Sequence, residues 1–277
     1  MKVSPLAGAL GAEIHGIDLR NVNVSDWDAI QQAFLAHAVL VFREQTLEPA
    51  DLMRVGERFG APCHYPFVTG MDGFPYIFEV VKEPEEKRNF GGAWHSDTAY
   101  LKQPPLATLL HAVQTPSHGG DTLFASTAAA YEALSDGMRK TIDGLVGVNS
   151  AELKYAGGRT AQHARIKGMK VHDTESAADY RSEHPVARTH PDTGRKALYC
   201  SRSHTTHFKG MTEEESAPLL NFLVQHQIKP EFTCRVRWAP GTLTVWDNRC
   251  TQHNAVNDYH GQRRHMRRIT VGAQTPR

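Results

Sequence analysis

FTCRVRWAPGTLTVWDNRC, residues 232–250, is the stretch that decides the fold class. Two short runs rich in β-branched and aromatic residues, FTCRVRW and TLTVWD, are divided by Ala-Pro-Gly and closed by Asp-Asn, residues that end strands and favour turns. The same pattern recurs in YIFEVV (76–81), LATLLHAV (106–113), ARTH (187–190), ALYCS (197–201) and RRITVGA (267–273). Bounded runs of this kind are typical of antiparallel sheets, and the regular strand-helix alternation of a doubly wound fold is missing. A mainly β fold with flanking helices follows. With 277 residues, 40% of them hydrophobic, and no repeat, low-complexity tract or linker, a single domain over 1–277 is expected.

Helices flank this β core. SDWDAIQQAFLAHAVLVFR (25–43) reads as a helix followed by a buried strand. Ser25 can cap it, Asp26 and Asp28 suit the first turn, and Trp27, Ile30 and Phe34 recur at helical spacing before AVLVF. EPADLMRVGERFG (48–60) puts Pro49 in a first turn, Leu52, Val55 and Phe59 on one face, and Gly60 at the stop. Ser126 and Ser135 are candidate caps for two further helical stretches. In TEEESAPLLNFLVQHQIKPEF (212–232), Thr212 and Glu215 have capping-box spacing, and Pro218 is expected to kink the helix or begin a second segment. Residues 150–185 follow neither period. Polar, with Arg159, Arg165, Lys167 and Lys170 among glycines and histidines, this stretch is expected to be an active-site lid.

Charge excludes two classes of partner. The 31 Lys and Arg against 30 Asp and Glu leave a net charge of +1, so no bulk field draws the chain to nucleic acid or to a membrane surface. The one basic cluster, RRHMRR (263–268), lacks the interleaved aromatics of a nucleic-acid site. No apolar run is long enough to span a bilayer, and the first twenty residues lack a clean signal-peptide core. Cys63, Cys200, Cys234 and Cys250 are scattered, without a C-x-x-C pair, which fits a reducing compartment. A soluble, unprocessed, cytoplasmic protein is expected. Among 16 histidines, His118, His163 and His190 have no neighbour at a meaningful spacing and are expected at the surface.

GGAWHSDTAY (91–100) carries the chemistry. Residues i and i+2 of an extended segment project from one face, so the His95 imidazole and the Asp97 carboxylate can converge on one metal ion. GTLTVWDNRCTQHNAV (241–256) offers a third ligand, His253, in a turn after a strand that ends at Trp246 and Asp247. Two histidines and one carboxylate form the facial triad of non-haem Fe(II) oxygenases, which leaves coordination positions open. Arg264 follows His253 by eleven residues and Arg268 lies four further on, where strand alternation gives both arginines one face. A buried guanidinium needs an anion, and its fork matches the carboxylate of a dicarboxylate cosubstrate. The same ligand set can hold zinc, so a zinc-dependent hydrolase or a non-enzymatic binding protein stays open at this point. Trp94 and Trp246, beside the ligands, are expected in the core.

His95-x-Asp97, His253 and Arg264, together with WHSDTAY, PPLATLLHAVQTPSHGGDTLF, AAYEALS, HPVARTHPDTGRKALY, KPEF, RVRW and VWDNRCTQH, resemble a known family over nearly the whole chain. It is that of the Fe(II)/2-oxoglutarate-dependent dioxygenases of the taurine dioxygenase and 2,4-dichlorophenoxyacetate dioxygenase type. The resemblance implies a double-stranded β-helix, the cupin-like jelly roll. It implies that His95, Asp97 and His253 ligate Fe(II), with O2 at the open position, and that Thr122 of GGDTL and Arg264 hold the distal carboxylate of 2-oxoglutarate. Arg268 would face the substrate, a small organic anion, and the chain would be a dimer or tetramer. The reaction implied couples decarboxylation of 2-oxoglutarate to succinate with hydroxylation of a C–H bond. Beside a heteroatom the hydroxylated product falls apart, so the visible outcome is cleavage. A hydrolase would have no use for Arg264 with Thr122.

Two places depart from the taurine enzymes. Their H-x-H-P is Cys63-His64-Tyr65-Pro66 here, so Tyr65 replaces a residue that contacts the sulfonate, and their phenylalanine before a Thr-Thr pair is His204 in SRSHTTHF. Tyr65, His64 and His204 are therefore candidate substrate-binding residues. Aryloxyalkanoates, alkyl sulfate esters and alkanesulfonates other than taurine are the expected substrate classes.

Overall fold

The computed structural model describes residues 1–152, 158–163, 166–171, 177 and 180–277. Its strands in chain order are β1 (Lys2–Pro5), β2 (Ala12–His15), β3 (Val39–Phe42), β4 (Pro62–Cys63), β5 (Ile77–Lys82), β6 (Pro105–Gln114), β7 (Thr122–Ser126) and β8 (Val146–Ser150). They continue as β9 (Arg181–Pro185), β10 (Ala187–Thr189), β11 (Lys196–Leu198), β12 (Thr205–Phe208), β13 (Thr233–Val236), β14 (Leu243–Asp247), β15 (Thr251–Ala255) and β16 (Arg264–Ala273). The helices are α1 (Val24–His37), α2 (Pro49–Phe59), α3 (Thr127–Glu132), α4 (Asp136–Ile142), α5 (Arg159–His163) and α6 (Glu213–Gln227).

The chain is mainly β, as its turn-bounded strands require. Eight strands make a major sheet in the order β1-β2-β3-β14-β6-β16-β4, with β5 also on β16. β13-β7-β15 and β12-β8-β9 form two three-stranded sheets, and β10 pairs with β11. β2 and β3 run parallel, with α1 as the crossover between them. β13 and β14, neighbours in sequence, fall in different sheets: β13 pairs with β7, whereas β14 lies between β3 and β6.

Alternation along the major sheet explains the core. Leu40 and Phe42 of β3, Leu109 of β6, Val245 of β14 and Ile269 of β16 pack beneath Trp27, Ile30, Phe34 and Leu52 of α1 and α2. The opposite face carries Val39, Val41, Leu110, Trp246 and Met266, which meet Phe124, Cys234 and Val236 of the β13-β7-β15 sheet. Both faces of β3 are thus covered, and all four of its residues are buried. The two sheets face each other across this second core, and the candidate site lies at its edge.

Local corrections have clear causes. α1 is capped by Asn23, whose side chain accepts from the Asp26 amide at 2.8 Å, and not by Ser25. α6 passes through Pro218 as one helix, its start fixed by the Thr212–Glu215 capping box. Ser126 and Ser135 cap α3 and α4 as expected. Both ends of the 150–185 stretch belong to a sheet, because β8 pairs with β9 from Val146↔Pro185 to Ser150↔Arg181. Of its basic residues, Arg165 lies outside the described residues. No described helix is long and apolar enough to cross a membrane.

Candidate active site

His95 and His253 are cross-strand neighbours. His253 stands within β15 rather than in a turn. Its amide donates to the His95 carbonyl at 2.9 Å, and the His95 amide donates back to the His253 carbonyl at 3.1 Å. This exchange sets the two rings 4.2 Å apart, centre to centre. Immediately afterwards the chain turns. Thr98 adopts φ +46°, a left-handed conformation that non-glycine residues adopt at a cost of about 1–3 kcal/mol. Asp97 stands just before it, at the start of that turn, and its carboxylate reaches both histidines. Its Oδ1 lies 3.5 Å from His95 Nε2 and 3.8 Å from His253 Nε2. One ligand atom from each residue falls within a 4.8 Å cluster, compact enough to hold a metal ion.

Hydrogen bonding prepares these atoms. His95 Nδ1 lies 2.6 Å from the Ala93 carbonyl oxygen. A carbonyl only accepts, so Nδ1 carries the proton and the Nε2 lone pair is left for a metal. His253 is fixed by packing instead, its ring centre 4.8 Å from that of Trp246 and 5.9 Å from that of Phe124. Asp97 Oδ2 accepts from the Thr108 hydroxyl at 2.7 Å, which leaves Oδ1 as the oxygen that faces the histidines. Burial alone would raise the Asp97 carboxyl, but the Arg268 guanidinium beside it holds it well below the usual range. Burial, with His95 beside it, keeps His253 neutral, well below the usual imidazole range. A charged carboxylate and a neutral imidazole are the protonation states that ligation requires.

Two arginines of β16 supply the positive charge. Alternation buries Arg264, Met266 and Arg268 and leaves His265 and Arg267 half-buried. Arg268 Nη2 lies 2.5 Å from Asp97 Oδ1 as an ion pair without hydrogen-bond geometry, and its Nε has no acceptor among the described residues. Its guanidinium sits among the rings of Phe78, Trp246 and Tyr65, 5.5 to 6.0 Å from their centres. Four residues along a strand place Arg264 about 13 Å away on the same face. Arg264 is buried, and burial pulls its pKa down from the usual value. Its Nε and Nη2 also lack an acceptor among the described residues. Trp238 joins Arg264 to Thr122: the guanidinium carbon lies 5.6 Å from the indole centre, and the indole N–H donates to Thr122 Oγ1 at 3.0 Å. The Thr122 hydroxyl proton therefore stays available to an anion.

A cavity of about 370 Å³ opens over His95 and Asp97, within the size range of small-molecule sites, whereas His253, Thr122 and Arg264 do not line it. His95, Asp97, His204, Tyr65 and Arg268 line it from the sequence-derived set. His204 is buried, and burial together with nearby His95 holds its pKa well below the usual range. His64 does not line the cavity. It is exposed and packs its ring 4.3 Å from that of Tyr76, because β4 pairs at the sheet edge and the following alternation turns Tyr65 inward. The roof carries Arg159, Gln162, His163 and Ile166 from the 150–185 stretch.

Two histidines expected at the surface are buried. His190 lies 3.0 Å from Asp247 Oδ2, and Arg249 also binds both oxygens of that carboxylate. Asp247, His190 and Cys250 form a second compact group, but the carboxylate is already saturated by protein donors. His163 abuts Arg159 at 3.5 Å and is held at about 4, first by burial and then by the arginine. A histidine depressed in the folded state contributes stability above its unfolded pKa of about 6.5, and that stability is lost as pH falls toward 4. His163→Gln should therefore flatten the decline in urea-unfolding stability between pH 6.5 and 4. An unchanged slope would show that His163 does not drive the decline.

Three comparisons bear on this site. The model of the taurine catabolism dioxygenase TauD, TfdA family matches residues 2–270. The chain is 34% identical to the alpha-ketoglutarate-dependent sulfate ester dioxygenase of Pseudomonas putida, over all of this chain and 91% of that protein. It is 35% identical to the alkylsulfatase of Acinetobacter baylyi, over 99% of this chain and 86% of that one. The solved structure of AAD-2 in complex with Mn(II) and N-oxalylglycine superimposes with a TM-score of 0.83 at 27% identity, covering 100% of this chain and 99% of that one. These likenesses favour neither the zinc hydrolase nor the binding protein. The chain belongs to the TauD, TfdA family and is a 2-oxoglutarate-dependent dioxygenase that works with Fe(II), 2-oxoglutarate and O2.

Proposed function

We propose that this dioxygenase hydroxylates the carbon beside the ester oxygen of a small alkyl sulfate, with His95, Asp97 and His253 as iron ligands. The observation that carries the reading is the pair of buried guanidinium groups on one face of β16: Nε and Nη2 of Arg264 have no acceptor among the described residues, and Arg268, although its Nη2 touches Asp97 Oδ1, has an Nε likewise without one. A hydrolase needs no such second anion site.

The donor set fits the metal and the cosubstrate. Two imidazole nitrogens and one charged carboxylate oxygen suit Fe(II), and the donors at Arg264 and Thr122 suit a carboxylate. When bound there, Fe(II) would couple oxidative decarboxylation of 2-oxoglutarate to oxygen insertion into a substrate C–H bond. Arg264 and Thr122 would hold the distal carboxylate. Arg268 would hold the anionic head of the substrate, with neutral His204 able to donate or accept one hydrogen bond. Tyr65, Phe90 and Ile166 would pack the carbon chain and exclude water.

The product of such an insertion is a hemiacetal sulfate. Its hydroxyl proton leaves as the carbon–oxygen bond to sulfate breaks, which gives an aldehyde and hydrogensulfate. The sulfate ester and alkylsulfatase relatives support this class over the aryloxyalkanoates and alkanesulfonates. The paired sheets support a double-stranded β-helix, the described cavity roof supports a lid between β8 and β9, and the free thiols support the cytoplasm. A homo-oligomer, dimer or tetramer, completes the proposal.

The test is succinate release by iron-loaded protein supplied with 2-oxoglutarate and O2 across alkyl sulfates, alkanesulfonates and aryloxyalkanoates. Alkyl sulfates should raise succinate well above the substrate-free rate, with matching aldehyde and sulfate. Stimulation by another class alone would move the substrate assignment. No iron-dependent succinate with any of them would sink the reading of the site.

A further inference from the structure

Asp97 has two oxygens with different surroundings, and the difference is built into the sheet. Oδ1 faces His95, His253 and Arg268, whereas Oδ2 accepts from the Thr108 hydroxyl at 2.7 Å. Thr108 Oγ1 in turn accepts from Asn248 Nδ2 at 2.9 Å, and Asn248 Oδ1 accepts from Trp246 Nε1 at 3.0 Å. Thr108, Trp246, Asn248 and Asp97 are each at least 95% buried, so water cannot readily exchange into the chain.

The direction of every bond in this chain is forced. An indole N–H can only donate, so it fixes the carbonyl end of the Asn248 amide toward Trp246 and the NH2 end toward Thr108. Thr108 Oγ1 receives that donor, and its single proton can then satisfy only the Asp97 carboxylate. β14 and β6 pair Trp246 directly opposite Thr108, so the sheet register sets the start and the middle of the relay.

We propose that Thr108, oriented by Asn248 and Trp246, is a positioning residue that ties down Asp97 Oδ2 and presents Oδ1 alone to the metal. Without that bond the carboxylate is free to turn about its last torsion, which moves Oδ1 away from the two histidine nitrogens that it faces. Outer partners of this kind are worth 10- to 100-fold in metal affinity. The proposal rests on the ligand assignment of the preceding section.

The experiment titrates the metal-free full-length protein with Mn(II), an oxygen- and nitrogen-seeking probe, and reads free ion by electron paramagnetic resonance. Wild type should bind one ion, and Asp97→Ala should lose it. Thr108→Val, which keeps shape but lacks the donor, should raise the dissociation constant at least about 10-fold. Thr108→Ser, which keeps the hydroxyl, should bind within about threefold of wild type. If Thr108→Val does not fold, Thr108→Cys takes its place, and its weak donor should still cost several-fold. Wild-type affinity in a folded Thr108→Val or Thr108→Cys protein, while Asp97→Ala abolishes binding, overturns the positioning role and leaves the ligand assignment standing. Binding that Asp97→Ala does not affect overturns both.

Discussion

The Asp97→Ala protein is expected to release succinate no faster than a protein-free control. Asp97 is the one anionic member of the proposed ligand set, and it is held charged although it is almost fully buried. Losing only an outer partner of a ligand costs 10- to 100-fold, so losing the ligand itself should exceed about 1000-fold. Truncation also leaves the Arg268 guanidinium without its nearest carboxylate, and an uncompensated buried charge is destabilising. Asp97→Asn therefore belongs beside it. The amide keeps the volume and an acceptor for Thr108 but loses the charge, so equal inactivity in the two variants, each with a native circular-dichroism spectrum, assigns the loss to ligation. Wild-type turnover in either variant would remove Asp97 from the metal site.

The ligand pattern was legible because it is short. His95 and Asp97 lie two residues apart, and Arg264 and Arg268 share one strand whose alternation alone turns both inward. What remained hidden depends on register between distant strands. Trp238 stands 116 residues from Thr122, and Asn248 stands 140 residues from Thr108, yet each pair meets in a hydrogen bond. Nothing in the local sequence marks these contacts. The same limit explains His190, which is buried by a partner 57 residues away, Asp247. His163 was misplaced for another reason: Arg159 stands one turn before it in α5, and a five-residue helix leaves too short a pattern to read. His64 shows the converse. Expected at the substrate, it is turned outward, while its neighbour Tyr65, which stands where similar enzymes contact the sulfonate, lines the cavity. In fold, the strand pattern fixed the class, but it could not say that β13 and β14 would part into opposing sheets or that 181–185 would be a strand.

Arg264→Ala should raise the KM for 2-oxoglutarate by about 100-fold while changing kcat much less. Removing one member of a buried, hydrogen-bonded charge pair costs roughly 2–5 kcal/mol, and each 1.4 kcal/mol is a factor of ten. The distal carboxylate is remote from the reacting carbon, so the contact binds ground state and transition state alike and its loss appears mainly in KM. Arg264→Lys keeps the charge but not the planar fork, and an intermediate increase of about 10-fold is expected. Stability separates this role from a structural one. Arg264 is buried with two donors that lack acceptors and a pKa pulled down by burial, which works against folding when no anion is bound. Arg264→Met, similar in bulk and uncharged, should therefore melt no earlier than wild type without cosubstrate and lose the stabilisation that 2-oxoglutarate gives wild type. A variant that melts far lower without cosubstrate, yet keeps the wild-type KM, would make Arg264 a structural cation and leave the cosubstrate carboxylate to other donors.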